Sequence, residues 1–327
     1  MAALTRIMKQ ARTKTAFVLA IDIGGTNIKA GLVDRAGAIR HMLHRPSHAA
    51  RGRNALLAVL AEVIAAQTRR APIVAVGCGS PGTINHDTGM VTYMQAHMPG
   101  WTGTPLRQEL ERMAGVPATV DNDVNLVALG EHWKGAGRGT RCQLSLALGT
   151  GLGGGLIVDG RIFHGAGGRA TEFGHMIVRP GGEPCTCGNF GCVEQYAAPG
   201  AMARRAAHYL TLGVPSVLAR CTTISAADII NHAATDHLCR HVFKDAIDGL
   251  ALVIWNLLQA LDPDVIVIGG GLVKAGKTVL TPLRAALANY YNPPELTGRV
   301  ILKLSTLGDN AGILGAARLA WDWLEHR

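Results

Sequence analysis

The sequence lacks any apolar run near the ~20 residues that a helix needs to cross a bilayer. Its N-terminus also lacks the apolar stretch and small-residue cleavage site of a secretory signal. These absences argue against a transmembrane or exported chain, so the expectation is a cytoplasmic protein with no membrane partner. Cysteine is scarce and odd in number: of seven, three crowd into Cys185, Cys187 and Cys192. A disulfide framework needs an even set and an oxidising compartment, so metal binding explains the cluster better. Acidic residues are missing from the start, where Arg6, Lys9, Arg12 and Lys14 mark residues 1–16 as a basic tail. Across the chain 32 basic residues outweigh 23 acidic ones, a formal charge of +9 that would suit a polyanion. The basic positions are scattered rather than gathered on one helix, however. A solvated basic surface is the reading, with no nucleic-acid partner.

At 327 residues the chain is long enough for two domains. Its hydrophobic fraction of 48% is ordinary for a folded protein, and its 41 glycines suggest tight turns and backbone close to a ligand. Phe17 to Ile23 is an apolar strand, Gly24-Gly25-Thr26 a turn, and Ile28 to Val33 a returning strand. A helix over 54–67, a strand over 73–77, a Ser80-Pro81-Gly82 turn, a helix over 105–113 and a short strand over 118–120 follow. The second half repeats the opening: a strand over 143–148, a Gly149-Thr150-Gly151-Leu152-Gly153-Gly154 turn, and a strand over 155–158. A buried helix over about 239–261 stops at Asp262-Pro263, because proline cannot continue it. Val265 to Ile268 then runs into Gly269-Gly270-Gly271, and a last helix begins near Asn310. Hairpins feeding helices, twice over, imply an α/β fold of two duplicated domains facing one another across a cleft.

Asp22-Ile23-Gly24-Gly25-Thr26-Asn27-Ile28-Lys29 joins a carboxylate at a strand end to a glycine turn, a hydroxyl and a lysine. Glycines let backbone N–H groups approach phosphate oxygens, Thr26 can donate a hydrogen bond, and Asp22 suits Mg²⁺, held through water. A hairpin tip without a ligand is the simpler use of such a turn. Its echo at Gly149, Thr150 and Gly151 favours a shared triphosphate. Val120-Asp121-Asn122-Asp123 puts an amide and a carboxylate where a strand ends and a helix would start, and either Asn122 or Asp123 suits a helix N-cap. His175-x9-Cys185-x-Cys187-x4-Cys192 offers one imidazole and three thiolates, a complete tetrahedral Zn²⁺ set of the closed, structural kind. Gly271-x4-Gly276-Lys277-Thr278 fits the Walker A pattern, but explains none of the other motifs.

Asp22 to Lys29 resembles the first phosphate loop of the ROK family, within the actin and hexokinase superfamily. Further matches run in the family's order: Ser80-Pro81-Gly82, Pro99-Gly100-Trp101, Asp121-Asn122-Asp123-Val124-Asn125, Leu148-Gly149-Thr150-Gly151, Glu172-Phe173-Gly174-His175, Cys185-Thr186-Cys187-Gly188 and Ile268-Gly269-Gly270-Gly271. The resemblance implies two actin/hexokinase-like (ribonuclease H-like) domains, one of residues 17–135 plus 309–327 and one of residues 136–308 with the zinc loop. It also implies ATP-dependent phosphorylation of a hexose, glucose first, at the 6-hydroxyl. Asp123 would be the general base, and Asn122 would hold a ring hydroxyl, on a sugar side that includes Gly82. Glu172, His175 and Glu194 would bind further hydroxyls, with His175 giving its other ring nitrogen to zinc. Gly24, Gly25, Thr26, Asn27 and Lys29 would face the phosphates, and Gly270 and Gly271 the adenosine.

Two positions depart from the family: Thr171 stands where glycine precedes Glu172, and His97 replaces an asparagine before Pro99-Gly100-Trp101. Both bear on which sugar is preferred. N-acetylmannosamine, N-acetylglucosamine, fructose, mannose and allose are the alternatives, and polyphosphate is the alternative donor. The family resemblance suggests a homodimer or homotetramer. The same family includes sugar-responsive repressors with a helix-turn-helix ahead of the sugar fold, and sixteen residues before the first strand are too few for one.

Overall fold

The computed structural model describes residues 11, 16–94, 98–271, 275–290 and 301–326. Arg6, Lys9, Arg12 and Lys14 of the basic tail, His97, and positions 272–274 of the Walker-type stretch lie outside the described residues. The chain divides into two compact units. Unit one comprises residues 1–139, 155–170 and 306–327; unit two comprises 140–154 and 171–305. Among the described residues no helix is long and apolar enough to cross a membrane.

Unit one is built on a five-stranded sheet of order β3-β2-β1-β4-β7. Its strands are β1 (Phe17–Ile23), β2 (Asn27–Val33), β3 (Ile39–Pro46), β4 (Ile73–Ser80) and β7 (Ala118–Asn122). A separate ribbon pairs β5 (Thr83–Asn85) with β6 (Met90–Tyr93). Strands β1, β2 and β3 are antiparallel neighbours, while β4 and β7 run parallel to β1. Alternation along β1 feeds two cores, as the period of two in a strand requires. Leu19, Ile21 and Ile23 pack with Leu56, Leu60 and Ile64 of helix α1 (Arg53–Thr68) and Leu106 and Leu110 of α2 (Leu106–Ala114). Val18 and Ala20 point the other way, toward Leu126 and Leu129 of α3 (Asp123–Lys134).

Unit two holds β8 (Cys142–Leu148), β11 (Val265–Gly270) and β12 (Ile301–Leu304), with β11 parallel to both. The sheet order is β10-β9-β8-β11-β12, with β9 (Leu152–Val158) running from unit two into unit one at Gly155 and β10 at Arg161–Ile162. Its helices are α4 (Glu194–Ala197), α5 (Pro199–Thr211), α6 (Ala226–His232), α7 (His237–Leu261) and α8 (Lys277–Ala288). Helix α7 starts on Asp236, whose carboxylate accepts from the Cys239 amide at 2.9 Å, and ends at Asp262 in a left-handed conformation before Pro263. Asp264 then accepts from the Arg141 and Cys142 amides at 2.8 Å each, fixing the start of β8 beside the start of β11.

The last helix, α9 (Ala311–Glu325), belongs to unit one and lies on α3 and β4 at backbone contact. A Cβ on Gly315 would overlap the carbonyl oxygen of Leu126, one on Gly130 that of Ala311, and one on Gly77 that of Ala316. Glu131 secures the approach to this helix: its carboxylate is 1% exposed and accepts from the amides of Ala136 (2.8 Å), Thr306 (3.1 Å) and Leu307 (2.9 Å). Main chain cannot step aside as a flexible side chain does. Gly315→Ala is therefore expected to cost about 1–3 kcal/mol, the range for overpacking a dense core. Thermal denaturation measures it, and an unchanged midpoint would mean that α9 does not rest on the backbone of α3.

Candidate active site

In unit one, β1 and β2 form the first glycine-tipped hairpin. Asp22 lies opposite Lys29, and the Gly24 amide donates to the Asn27 carbonyl at 2.8 Å to close the turn. The sequence did not reveal what steadies that tip. Ser47, just after β3, donates its amide to Thr26 O and its hydroxyl to Gly25 O, both at 2.8 Å. No spacing rule links Ser47 to the hairpin; the pairing of β2 with β3 brings it there. Lys29 Nζ is 3.0 Å from Asp309 Oδ1, a fully exposed carboxylate that any polyanion at the tip would have to displace.

Asn122 ends β7 and caps α3. Its Oδ1 accepts from the Val124 and Asn125 amides at 2.9 and 3.2 Å, while its Nδ2 donates to Gly82 O at 3.0 Å. The N-cap reading was therefore right for Asn122, and the cap fixes Asp123 as the first residue of the helix. Gly82 has φ +93, and Ser80, two residues before it, accepts from Trp101 Nε1 at 3.0 Å, so two of the sequence motifs meet in one turn. Gly79 brings the two carboxylates together: a Cβ there would lie 3.5 Å from Asp123 Cα and 3.6 Å from Asp22 Oδ1. Gly312, in the first turn of α9, leaves room for Asp22, since a Cβ would be 2.8 Å from Asp22 Oδ2. Burial, then the charge of Asp22, pushes the Asp123 carboxyl up to about 7. Burial likewise raises that of Asp22, against the attraction of Lys29.

In unit two, β8 and β9 form the second hairpin, closed by the Gly149 amide donating to Gly151 O at 2.9 Å. Gly270, at the end of β11 with φ +84, abuts Leu148 so closely that a Cβ would overlap its carbonyl. The parallel pairing of β11 with β8 thus gathers Gly149, Thr150, Gly151, Gly270 and Gly271 at one end of the sheet, the carboxyl end where ligands settle in α/β folds. Glu194 lies against this hairpin. Its Oε2 accepts from the Leu152 amide at 2.9 Å, and Gly151 has no room for a Cβ beside it.

Thr171 has φ +71, a left-handed conformation that costs a β-branched residue roughly 1–3 kcal/mol. Its hydroxyl donates to Gly154 O at 3.1 Å, so a threonine holds a shape that glycine adopts freely. The bend leads through Glu172 into a short 3₁₀ turn at Phe173–His175. His175 presents Nδ1 to Cys185 Sγ at 3.6 Å and Nε2 to Glu172 Oε2 at 4.0 Å. Cys187 and Cys192 are 3.6 Å apart, and the four donor atoms of His175, Cys185, Cys187 and Cys192 all lie within 4.8 Å of one another. Thiolates at about 2.3 Å from a tetrahedral Zn²⁺ stand about 3.8 Å apart, so the donor set and its spacing fit the metal. Local backbone builds the site: Cys185 N donates to Asn189 O at 2.8 Å, Gly188 N to Cys185 O at 3.0 Å, and Gly188 has φ +92.

The chain matches the model of the ROK family over residues 18–322. It is 37% identical to a glucokinase of Halalkalibacterium halodurans over 310 residues, covering 91% of this chain and 93% of that one. A solved ROK hexokinase from Thermus thermophilus superposes with a TM-score of 0.79 at 30% identity, over 95% of this chain and 100% of that one. A ROK family glucokinase from Streptomyces griseus, solved with glucose and AMPPNP, superposes with a TM-score of 0.78 at 30% identity, over 94% and 100%. The two-domain actin/hexokinase-like fold implied by the family resemblance is borne out by these structural neighbours. The chain belongs to the ROK family.

Proposed function

We propose that this chain is an ATP-dependent hexose kinase, a glucokinase, which transfers the γ-phosphoryl group of ATP to the 6-hydroxyl of glucose. The observation that carries the reading is Asp123. It is a half-buried carboxylate on a capped helix turn, pushed up to about 7 beside the carboxylate of Asp22. Its relatives supply the substrates: the Halalkalibacterium halodurans protein is a glucokinase, and the Streptomyces griseus enzyme was solved with glucose and an ATP analogue.

In this reading Asp123 accepts the proton of the 6-hydroxyl as the oxygen attacks the γ-phosphorus, the bond to the β-phosphate oxygen breaks, and ADP leaves. Phosphoryl transfer asks the protein chiefly for an oriented nucleophile and for neutralised phosphate charge. A carboxylate poised near neutrality accepts the proton without holding it too tightly. Asn122, fixed at both ends of its amide group, would orient the sugar beside the base. Glu172, His175 and Glu194 would take further hydroxyls, and such polar saturation lets a site reject sugars lacking a group. The backbone amides of Gly24, Gly25, Thr26, Gly149, Thr150 and Gly151 would cradle the phosphates, with Lys29 exchanging Asp309 for them. Asp22 takes no hydrogen bond from the described residues, and an orphaned buried carboxylate suits Mg²⁺, which would supply charge neutralisation for the nucleotide phosphates. Zn²⁺ held by His175, Cys185, Cys187 and Cys192 would order the loop that carries His175. With four protein ligands it has no open position for water or substrate. The Nδ1 of His175 would serve the metal and Nε2 the sugar, which divides the imidazole between two tasks.

Three outcomes test this reading. Asp123→Asn is expected to lower kcat about 10²- to 10⁴-fold, the usual worth of general base catalysis, with its melting temperature retained. Near-wild-type turnover in a coupled ADP-release assay would remove Asp123 as the base. Because the base must be ionised, kcat/KM should rise with pH through about 7. Asp22→Asn should move that limb to lower pH by removing the charge that helps hold the proton; a limb that stays put would dissociate the two carboxylates. Metal analysis of the purified protein should find about one zinc per chain. Chelation should raise the KM for glucose before that for ATP, and fully active protein without zinc would defeat the metal assignment.

A further inference from the structure

Asp121 sits one residue before the Asn122-Asp123 pair and takes no part in the chemistry described above. It is nevertheless buried, 2% exposed, and its carboxylate is fully engaged. Oδ1 accepts from the Asn122 amide at 2.7 Å and from Asn125 Nδ2 at 2.9 Å, donors that bracket Asp123 in the chain. Oδ2 reaches out of the element altogether, to His164 Nε2 at 2.6 Å, 43 residues away. All these residues belong to unit one.

His164 is itself held. Its ring stacks on His86, with centroids 4.2 Å apart and planes 6° from parallel, and its carbonyl accepts from the Ala170 amide at 3.1 Å. That hydrogen bond closes residues 164–170 into a small loop with left-handed glycines at Gly165 and Gly168. Loop closure ends one residue before Thr171, whose carbonyl accepts from the Phe173 amide at 2.6 Å and starts the turn carrying Glu172 and His175. One short hydrogen bond therefore connects the helix turn bearing the base with the chain segment leading to the residues assigned to the sugar. A carboxylate needed only for its own turn would be served by the Asn122 and Asn125 donors alone.

Resting on the kinase reading, we propose that Asp121 and His164 are positioning residues, their hydrogen bond bracing the Asn122-Asp123 turn within unit one. Neither touches substrate. Asp121 orients the base through the first turn of α3, and His164 holds Asp121 from the far side. The turn carries both Asn122 and Asp123, so its bracing concerns the hexose and leaves the nucleotide alone.

The test is steady-state kinetics on wild type, His164→Ala and His164→Gln, with hexose and ATP varied separately and melting temperatures measured alongside. Loss of one buried hydrogen bond to a charged group is worth about a tenfold effect. His164→Ala should accordingly raise the hexose KM about tenfold and lower kcat, with the ATP KM unchanged within about twofold. Glutamine can direct an amide N–H to Asp121 Oδ2, so His164→Gln should return most of the loss. The proposal is overturned by a hexose KM unchanged in His164→Ala, by equal losses in both variants, or by hexose and ATP KM values rising together as the melting temperature falls. An inactive wild type would overturn the kinase reading and this proposal with it, whereas an active wild type indifferent to His164→Ala overturns this proposal alone.

Discussion

The pair of carboxylates in unit one, Asp22 and Asp123, depends on how closely one helix can approach its neighbours. Helix α9 meets α3 and β4 through glycines, at Gly315 against Leu126, Gly130 against Ala311, and Gly77 against Ala316. Side chains at those contacts would hold the helices farther apart, as helix spacing depends on the residues at the contact. The close approach sets Gly312 beside Asp22 and fixes α3, whose first residue is Asp123. Burial favours the protonated form of both carboxylates, and the charge of Asp22 adds to it at Asp123. A structure assembled for packing thus holds the Asp123 carboxyl up at about 7.

In the proposed kinase reading the Asp22 carboxylate would favour a bound cation. Asp22 finds no hydrogen-bond donor among the described residues, and Lys29 is shared with an exposed Asp309. In that reading both groups would turn to a metal–nucleotide complex when it binds. Unit two solves a different problem. The segment from Thr171 to Cys192 has little regular secondary structure, so few backbone hydrogen bonds fix it. Four metal donors within 4.8 Å of one another can do so instead, and metal binding energy in such loops is folding energy.

Much of the fold was legible because its central strands are apolar on both faces. Strands β1, β4, β8 and β11 and helix α7 are long apolar segments bounded by glycine, proline or aspartate, and the sequence reading found each of them. Strand β3 escaped because Ile39–Pro46 carries arginines and histidines on an exposed edge, where charge protects against unwanted pairing and hides the alternation that marks a strand. Helix α8 escaped for a different reason: Pro282 lies inside it, and proline reads as a stop. Residues joined by chain order, such as the His175, Cys185, Cys187 and Cys192 cluster and Asn122-Asp123, could be picked out as motifs. Ser47, Asp309, Gly312 and His164 could not, because their partners lie far away in sequence and no periodicity connects them.

By itself the sequence determined the chemistry available. It supplied two glycine turns, a carboxylate at a strand end, an Asn-Asp pair at a helix start, and three thiols with a histidine at metal-binding spacing. Those are local properties, fixed by residue type and by the few dihedral angles between neighbours. Tertiary structure alone decided what state those groups are in. Proximity to Asp22 and exclusion from water raise Asp123, and rotation of one imidazole turns Nδ1 to the cysteines and Nε2 to Glu172. Asp121, which the motif presented as a mere neighbour of the base, becomes the brace of its turn through a histidine 43 residues on. The physical reason is common to all three: desolvation and hydrogen-bond geometry depend on distance in space, and chain order constrains that only over a few residues.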